Sequence, residues 1–155
     1  MITNNGSFLE NVINMSINFF LEENIAYFWK KKGFLVNQTF LNQSGVDYFG
    51  LYKKKFIALE AKSCKSNFFY FKNISKFQIK ELNQIIKFNG FCFLVIYCFE
   101  LNKYYCFNFK IISQLIKTKK TKMDLKKYQQ FLIFIRKPFY LDFLTIINDS
   151  INQNQ

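Results

Sequence analysis

Two carboxylates and one lysine in the first half of the chain have the types and the spacing that metal-assisted hydrolysis requires. Asp47 precedes Glu60 by thirteen residues, and Lys62 follows Glu60 at the second position. If residues 56–62 form a strand, Glu60 and Lys62 project from the same face, because side chains alternate along a strand. A neighbouring strand that carries Asp47 would then place its carboxylate beside that of Glu60.

Such a pair of carboxylates offers the hard oxygen ligands that Mg²⁺ and Mn²⁺ prefer. A bound ion polarises a phosphodiester and lowers the pKa of a bound water. Lys62 would orient this water or stabilise the charge that develops on the phosphorus. The spacing therefore favours hydrolysis of a phosphodiester.

The same spacing has a plainer interpretation, because Glu-x-Lys is common on the solvent-exposed strand faces of lysine-rich proteins. Two features of the sequence favour burial instead. Ala58 and Ala61 flank Glu60, which indicates close packing around this carboxylate. Two aromatic residues follow Asp47 directly, and an acid in an exposed loop would not need them.

The elements that must position these residues follow from periodicity and turn residues. The predicted helices are residues 7–23, 75–88, 111–116 and 141–151. The predicted strands are residues 25–30, 34–41, 46–52, 56–62, 91–99, 104–109 and 131–135, with residues 68–71 in a loop. This order favours an α/β fold with a mixed central sheet flanked by helices, in a single domain that covers residues 1–155.

The charge of the chain favours a nucleic-acid partner. A formal net charge of +12 on 155 residues attracts phosphate backbones or anionic membranes. Arg136 is the single arginine, and lysines contact phosphates as point charges rather than reading base edges. A membrane partner is disfavoured, because no helical segment carries lysines on one face and phenylalanines on the other.

The candidate DNA contacts fall into two basic groups, and a lysine turn at residues 53–55 is a further candidate. The first group is Lys30 and Lys31; the second is Lys117, Lys119, Lys120 and Lys122, within residues 117–127, which we term the lysine segment. The alternative is that these groups are solvated faces of a lysine-rich protein.

Nothing in the sequence indicates a disulfide, a zinc finger or a membrane span. The four cysteines form no CxxC pair and the chain has no His, so we interpret them as core thiols of a reducing compartment. The longest apolar run, residues 91–99, is too short to cross a membrane, and the N-terminus lacks the layout of a signal peptide. We expect a cytoplasmic protein.

Several short motifs resemble, in the same order, those of the RecU family of Holliday-junction resolvases. They are GSFLE at residues 6–10, IAYFWKK at 25–31, SGVDYFG at 44–50, EAK at 60–62, FKN at 71–73 followed by Gln78, GFCF at 90–93, and Pro138 with LDF at 141–143. No single motif is specific, but their order along nearly the whole chain is. The resemblance implies a restriction-endonuclease-like fold and a metal-dependent nuclease of the PD-(D/E)xK type.

The resemblance also implies roles for individual residues. Asp47 and Glu60 would be ligands of Mg²⁺ or Mn²⁺, and Lys62 would stabilise the transition state. Gln78 would reach the metal from the first turn of its helix. Glu10 would support the site from the first helix.

Two of these residues have a structural alternative. Ser75 and Gln78 fit a capping box, in which Gln78 would only cap its helix. Ser7 and Glu10 fit another capping box, at the start of the first helix.

The chain departs from the family pattern in three places. Gly45 stands where the family has a Thr that contributes to metal binding, so a water, a main-chain carbonyl or Ser44 would have to take its place. The family's Pro-Thr-Pro after the basic pair is replaced by Lys32 and Gly33. Only residues 33–44 occupy the position of the family's protruding stalk, which engages the centre of a four-way junction.

We therefore predict a Mg²⁺- or Mn²⁺-dependent endodeoxyribonuclease that nicks four-way junctions symmetrically in recombination and repair. Two symmetric nicks favour a two-fold homodimer. Two alternatives remain open: a stalkless nuclease that acts on flaps, single strands or duplex, and a DNA-binding relic without catalysis.

Overall fold

A computed structural model of the protein describes residues 5–31, 35–36, 39–40 and 45–153. The helices are α1 (Asn5–Glu22), α2 (Lys76–Lys87), α3 (Phe109–Lys117) and α4 (Leu144–Asn152). The strands are β1 (Tyr27–Lys30), β2 (Leu35–Val36), β3 (Thr39–Phe40), β4 (Tyr48–Tyr52), β5 (Lys55–Cys64), β6 (Phe68–Tyr70), β7 (Phe91–Cys98), β8 (Lys103–Asn108), β9 (Lys122–Asp124), β10 (Leu132–Ile133), β11 (Ile135–Arg136) and β12 (Tyr140–Leu141).

Six of these strands form one mixed sheet in the order β1-β4-β5-β7-β8-β10. All neighbours in this sheet are antiparallel except β5 and β7, which run parallel. Parallel neighbours need a crossover connection, and the segment that contains α2 supplies it. The predicted α/β fold with a mixed central sheet is confirmed.

Helices cover both faces of the sheet. Ile57, Leu59 and Phe93 share a core cluster with residues of α1 and α4. On the opposite face, Leu94 and Ile96 share a second cluster with residues of α2 and α3. Strand β7 lies between the two clusters and is buried at seven of its eight residues, which explains its continuous apolar run.

Local signals set both ends of α2. Ser75 Oγ accepts a hydrogen bond from Gln78 N–H at 3.1 Å, and Ser75 N–H donates to Gln78 Oε1 at 3.0 Å, so the predicted capping box is present. After the helix, Asn89 takes the left-handed conformation with φ 64°, where the sequence favoured Gly90. Gly90 is needed for space, because a Cβ there would lie 2.4 Å from Ile85 Cγ2.

Several predicted elements are divided differently in the structure. The strand predicted at residues 34–41 is two short antiparallel strands, β2 and β3. Residues 68–71, expected in a loop, contain β6, which pairs with β9 of the lysine segment. The strand predicted at residues 131–135 is split between β10 and β11, and β11 pairs with β12 at the start of the helix predicted at 141–151. In each case strand pairing set the boundary, either between near neighbours, as in β2–β3 and β11–β12, or between distant residues, as in β6–β9 and β8–β10, and periodicity does not report such pairings.

All four cysteines are buried thiols, as predicted. Within the described ranges, no helix combines the length and the apolar character that crossing a bilayer requires.

Candidate active site

The pairing of β4 with β5 brings Asp47 beside Glu60. Tyr48 lies opposite Leu59 in this antiparallel pair, so the residue before Tyr48 lies opposite the residue after Leu59. Asp47 Oδ2 accepts a hydrogen bond from Ala61 N–H at 2.9 Å, which ties the first carboxylate to the strand that carries the second.

Glu60 is fully buried, so the interpretation of Glu-x-Lys as a solvent-exposed face is wrong. Glu60 Oε1 accepts hydrogen bonds from Lys62 Nζ at 2.8 Å and from Gln78 Nε2 at 2.6 Å. Glu60 Oε2 is buried and has no hydrogen-bond partner among the described residues. A buried carboxylate oxygen without a partner is costly, which makes Oε2 a favourable position for a cation.

The two carboxyl groups share an electrostatic environment that disfavours their charged forms. Burial, together with the neighbouring Asp47 carboxylate, raises the pKa of Glu60 to about 8, although Lys62 acts in the opposite direction. Burial also raises the pKa of Asp47, against the hydrogen bond from Ala61 N–H and the charge of Lys62. Such raised pKa values cluster at functional sites, and a bound divalent cation would reverse them by favouring the charged forms.

Gln78 forms the capping box that the sequence offered as its structural role, and it also contacts Glu60. Its Oε1 accepts the capping hydrogen bond from Ser75 N–H, while its Nε2 donates to Glu60 Oε1. The side chain is 4% exposed and joins the first turn of α2 to β5. The N-terminus of a helix carries positive partial charge, which further favours an anionic group at this position.

Glu10 does not form the predicted capping box. Helix α1 begins at Asn5, so Ser7 lies inside the helix rather than before it. The Glu10 carboxylate instead accepts from Lys30 Nζ at 2.5 Å. Its charge adds to the burial that raises the pKa of Asp47, so Glu10 borders the site from α1.

Glu81, a residue that the sequence analysis did not identify, fills the space beside Gly45. Glu81 Oε2 accepts from Val46 N–H at 2.7 Å, and Glu81 Oε1 accepts from Lys31 Nζ at 2.9 Å. A Cβ at Gly45 would lie 2.0 Å from Glu81 Oε2. The available sequence signal is that Glu81 lies three residues after Gln78, on the same side of a helix.

The two predicted basic groups have different surroundings. Lys30 and Lys31 are paired with Glu10 and Glu81, respectively. Their charges are therefore already partly balanced before any anion binds.

The candidate lysines of the lysine segment, by contrast, are open to solvent. Lys122 Nζ lies 4.3 Å from the centre of the Phe68 ring, in a cation-π contact. The ion pairs found within the described ranges involve none of the candidate lysines of this segment, and all four are exposed: Lys117, Lys119, Lys120 and Lys122.

The donor atoms of the site fit a divalent cation that prefers oxygen ligands. Asp47 and Glu60 supply carboxylates, and Glu60 Oε2 is buried without another partner. The described part of the chain contains no group of three or more His, Cys, Asp and Glu residues that could hold a metal unaided. Mg²⁺ is often bound by one or two carboxylates that are completed by waters and substrate phosphates, so two acids suffice. Ser44, predicted as a supporting residue, lies outside the described residues.

Sequence comparisons with known proteins match nearly the whole chain. A sequence model of the family described as RecU, Recombination protein U, matches residues 4–149. The Holliday junction resolvase RecU of Mycoplasmopsis pulmonis is 35% identical, and the match covers 96% of this chain and 97% of that protein. The Holliday junction resolvase RecU of Ureaplasma parvum is 32% identical, over 94% of this chain and 93% of that protein.

A solved structure shares the fold. The Archaeoglobus fulgidus Holliday junction resolvase Hjc superimposes with a TM-score of 0.50, at 16% sequence identity, over 79% of this chain and 91% of that chain. The identity is too low to carry more than the fold. The family match over most of the sequence does carry more, and it shows that this chain belongs to the RecU family.

Proposed function

We propose that the protein is a divalent-metal-dependent endonuclease, acting as a single domain, that resolves four-way DNA junctions in recombination and repair. One observation carries the proposal: Glu60 places a fully buried carboxylate, with an unpartnered oxygen, opposite a second acid, Asp47. An acid pair of this kind is unfavourable in a purely structural role and favourable as a cation site.

The side chains of the site would have different roles in catalysis. Asp47 and Glu60 would hold Mg²⁺ or Mn²⁺, with Gln78 orienting Glu60 through its 2.6 Å hydrogen bond. When bound, such an ion polarises a phosphodiester and lowers the pKa of a bound water. The ammonium group of Lys62, whose side chain is 22% exposed, would stabilise negative charge on the reacting phosphate.

The lysine segment would guide the DNA backbone toward this site. Phe71 N–H donates to the Thr121 carbonyl at 2.9 Å, and β6 pairs with β9. These contacts hold the lysine segment against the connection between β5, which carries Lys62, and α2, which carries Gln78. A phosphate backbone would contact these exposed lysines, whereas Lys30 and Lys31, already paired with Glu10 and Glu81, would contribute less.

The short region that replaces the family's stalk does not argue against junction resolution. The Mycoplasmopsis pulmonis protein is matched over 97% of its own length, so it leaves little room for a long insertion. That protein is named a Holliday junction resolvase. A short region at residues 33–44 is therefore compatible with the proposed substrate.

We propose further that the active form is a two-fold homodimer. Symmetric nicking of a junction requires two active sites related by a two-fold axis, and one chain supplies one. Light scattering at micromolar concentration is expected to give the mass of two chains without DNA, and of two chains plus one junction with junction DNA. A monomeric mass in both states would contradict paired resolution.

The proposed function is tested by cleavage of a labelled four-way junction and a matched linear duplex, with Mg²⁺ and with Mn²⁺. Paired symmetric cuts in the junction only, absent in Asp47→Asn, are expected. Equal metal-dependent cutting of both DNAs would identify a nuclease without junction selectivity. Tight binding of the junction without cleavage would identify a DNA-binding relic.

A further inference from the structure

We propose that Glu81 is a positioning residue for the metal site, which holds the main chain before Asp47 against α2 and thereby sets the Asp47 carboxylate relative to Glu60. The inference rests on the proposed function, because it concerns residues that would hold the cation.

The chain around Asp47 is fastened from three directions. Lys31 N–H donates to the Asp47 carbonyl at 2.8 Å, next to β1. Ala61 N–H donates to Asp47 Oδ2 at 2.9 Å, from β5. Val46 N–H donates at 2.7 Å to Oε2 of Glu81, which lies on α2. The first two contacts tie Asp47 to the sheet, whereas Glu81 ties it to the helix that packs over the sheet.

This third contact matters because α2 also contacts the other carboxylate. Gln78 donates to Glu60 Oε1 at 2.6 Å, and Glu81 lies three residues further along the same side of the helix. A single helix therefore contacts both halves of the acid pair, Glu60 directly and Asp47 through Val46. Loss of the Glu81 contact would free the segment before Asp47 while leaving Glu60 in place.

The sequence leaves room for the contact and balances its charge. A Cβ at Gly45 would lie 2.0 Å from Glu81 Oε2, so Glu81 occupies space that any other residue at position 45 would need. Lys31 Nζ lies 2.9 Å from Glu81 Oε1 and neutralises the carboxylate. Both Glu81 carboxylate oxygens already accept hydrogen bonds, from Lys31 Nζ and from Val46 N–H, so Glu81 would act through Asp47 rather than as a ligand.

Calorimetric titration of Mn²⁺ into the metal-free protein tests the proposal without relying on activity. Glu81→Ala is expected to weaken Mn²⁺ binding about tenfold, as loss of a residue that supports a ligand commonly does. Glu81→Gln removes the charge but keeps an acceptor for Val46 N–H, and it is expected to bind within about twofold of the wild type. Lys80→Ala, at an exposed position of α2, is the control, and circular dichroism checks that each variant is folded.

Gly45→Ala displaces the Glu81 carboxylate without altering Glu81. We expect the same loss of about tenfold, and no further loss in the double variant Gly45→Ala/Glu81→Ala, because both changes break one contact. Wild-type affinity in Glu81→Ala would overturn the positioning role. An equal loss in Glu81→Gln and Glu81→Ala would also overturn it, because charge alone would then be responsible. A wild-type protein that binds neither Mn²⁺ nor Mg²⁺ would contradict the proposed function itself, before any variant is compared.

Discussion

The acid pair and the lysine segment are the two charged regions that matter most here, and they are built in opposite ways. Asp47 and Glu60 are buried or nearly so, with individual oxygens bound to named donors. The four candidate lysines of the lysine segment are exposed and form no ion pair among the described residues. Charges in a buried site interact strongly and directionally, whereas exposed charges are screened by water and salt.

This difference indicates which residues catalysis and DNA binding should each depend on. Chemistry is expected to depend on single atoms of the acid pair, which no neighbour replaces. DNA binding is expected to depend on the sum of several lysines, each of which contributes modestly. Four predictions test this contrast.

The largest effect is expected for Glu60→Gln. The variant keeps the shape of the side chain but removes the carboxylate, so junction cleavage should fall on the order of a thousand-fold, as in other sites that lose one electrostatic group. Junction binding measured by fluorescence anisotropy should stay within about twofold, because the lysine segment is untouched. A parallel loss of binding would show that the two regions are not separable.

Glu60→Gln should also stabilise the metal-free protein at pH 8, by about 2 kcal/mol, because it removes a carboxylate whose charged form burial and Asp47 disfavour more than Lys62 favours it. Below pH 4.5, its ordinary pKa, Glu60 is neutral in both the folded and the unfolded protein and does not affect stability. Because its pKa in the folded protein is raised to about 8, Glu60 destabilises the folded state increasingly as pH rises from 4.5 to about 8. Urea unfolding at pH 5 and pH 8 measures the difference in the free energy of unfolding between variant and wild type, and this difference should be larger at pH 8. A constant difference would mean that Glu60 does not titrate in this range.

The double variant Lys120→Gln/Lys122→Gln should lower junction affinity about tenfold near 0.1 M salt and reduce the salt slope by about 0.9 per lysine. Cleavage at saturating DNA should change little. Lys87→Gln/Lys110→Gln removes the same charge from two other exposed positions, outside the lysine segment, and serves as the control. Equal losses in the two double variants would mean that only net charge matters.

The smallest effect is expected for Lys30→Gln. Lys30 already pairs with Glu10 at 2.5 Å, and exposed ion pairs contribute little, so junction affinity should fall by less than about threefold. The same substitution at Lys122 should have a larger effect, because Lys122 has no acidic partner among the described residues. If Lys30→Gln were the more damaging change, the paired lysines would have to be reassigned to the DNA surface.

The sequence by itself determined the parts of the site that depend on local geometry. Alternation along a strand placed Glu60 and Lys62 on one face, and a lysine turn at residues 53–55 paired their strand with that of Asp47. The capping box of α2 was also readable, because it spans only three residues. The order of the six strands was not predicted, since periodicity does not identify strand partners.

Only the tertiary structure decided how distant segments meet. Glu81 reaches Val46 across 35 positions of sequence, and nothing in the pattern around Gly45 indicates which side chain fills the space. The unpartnered oxygen of Glu60 is likewise a property of packing, because its burial depends on residues that are distant in sequence. Local periodicity indicates which face of a strand or helix a residue occupies, but not which distant side chains contact that face. The chemistry of this site depends on both the face and its tertiary contacts.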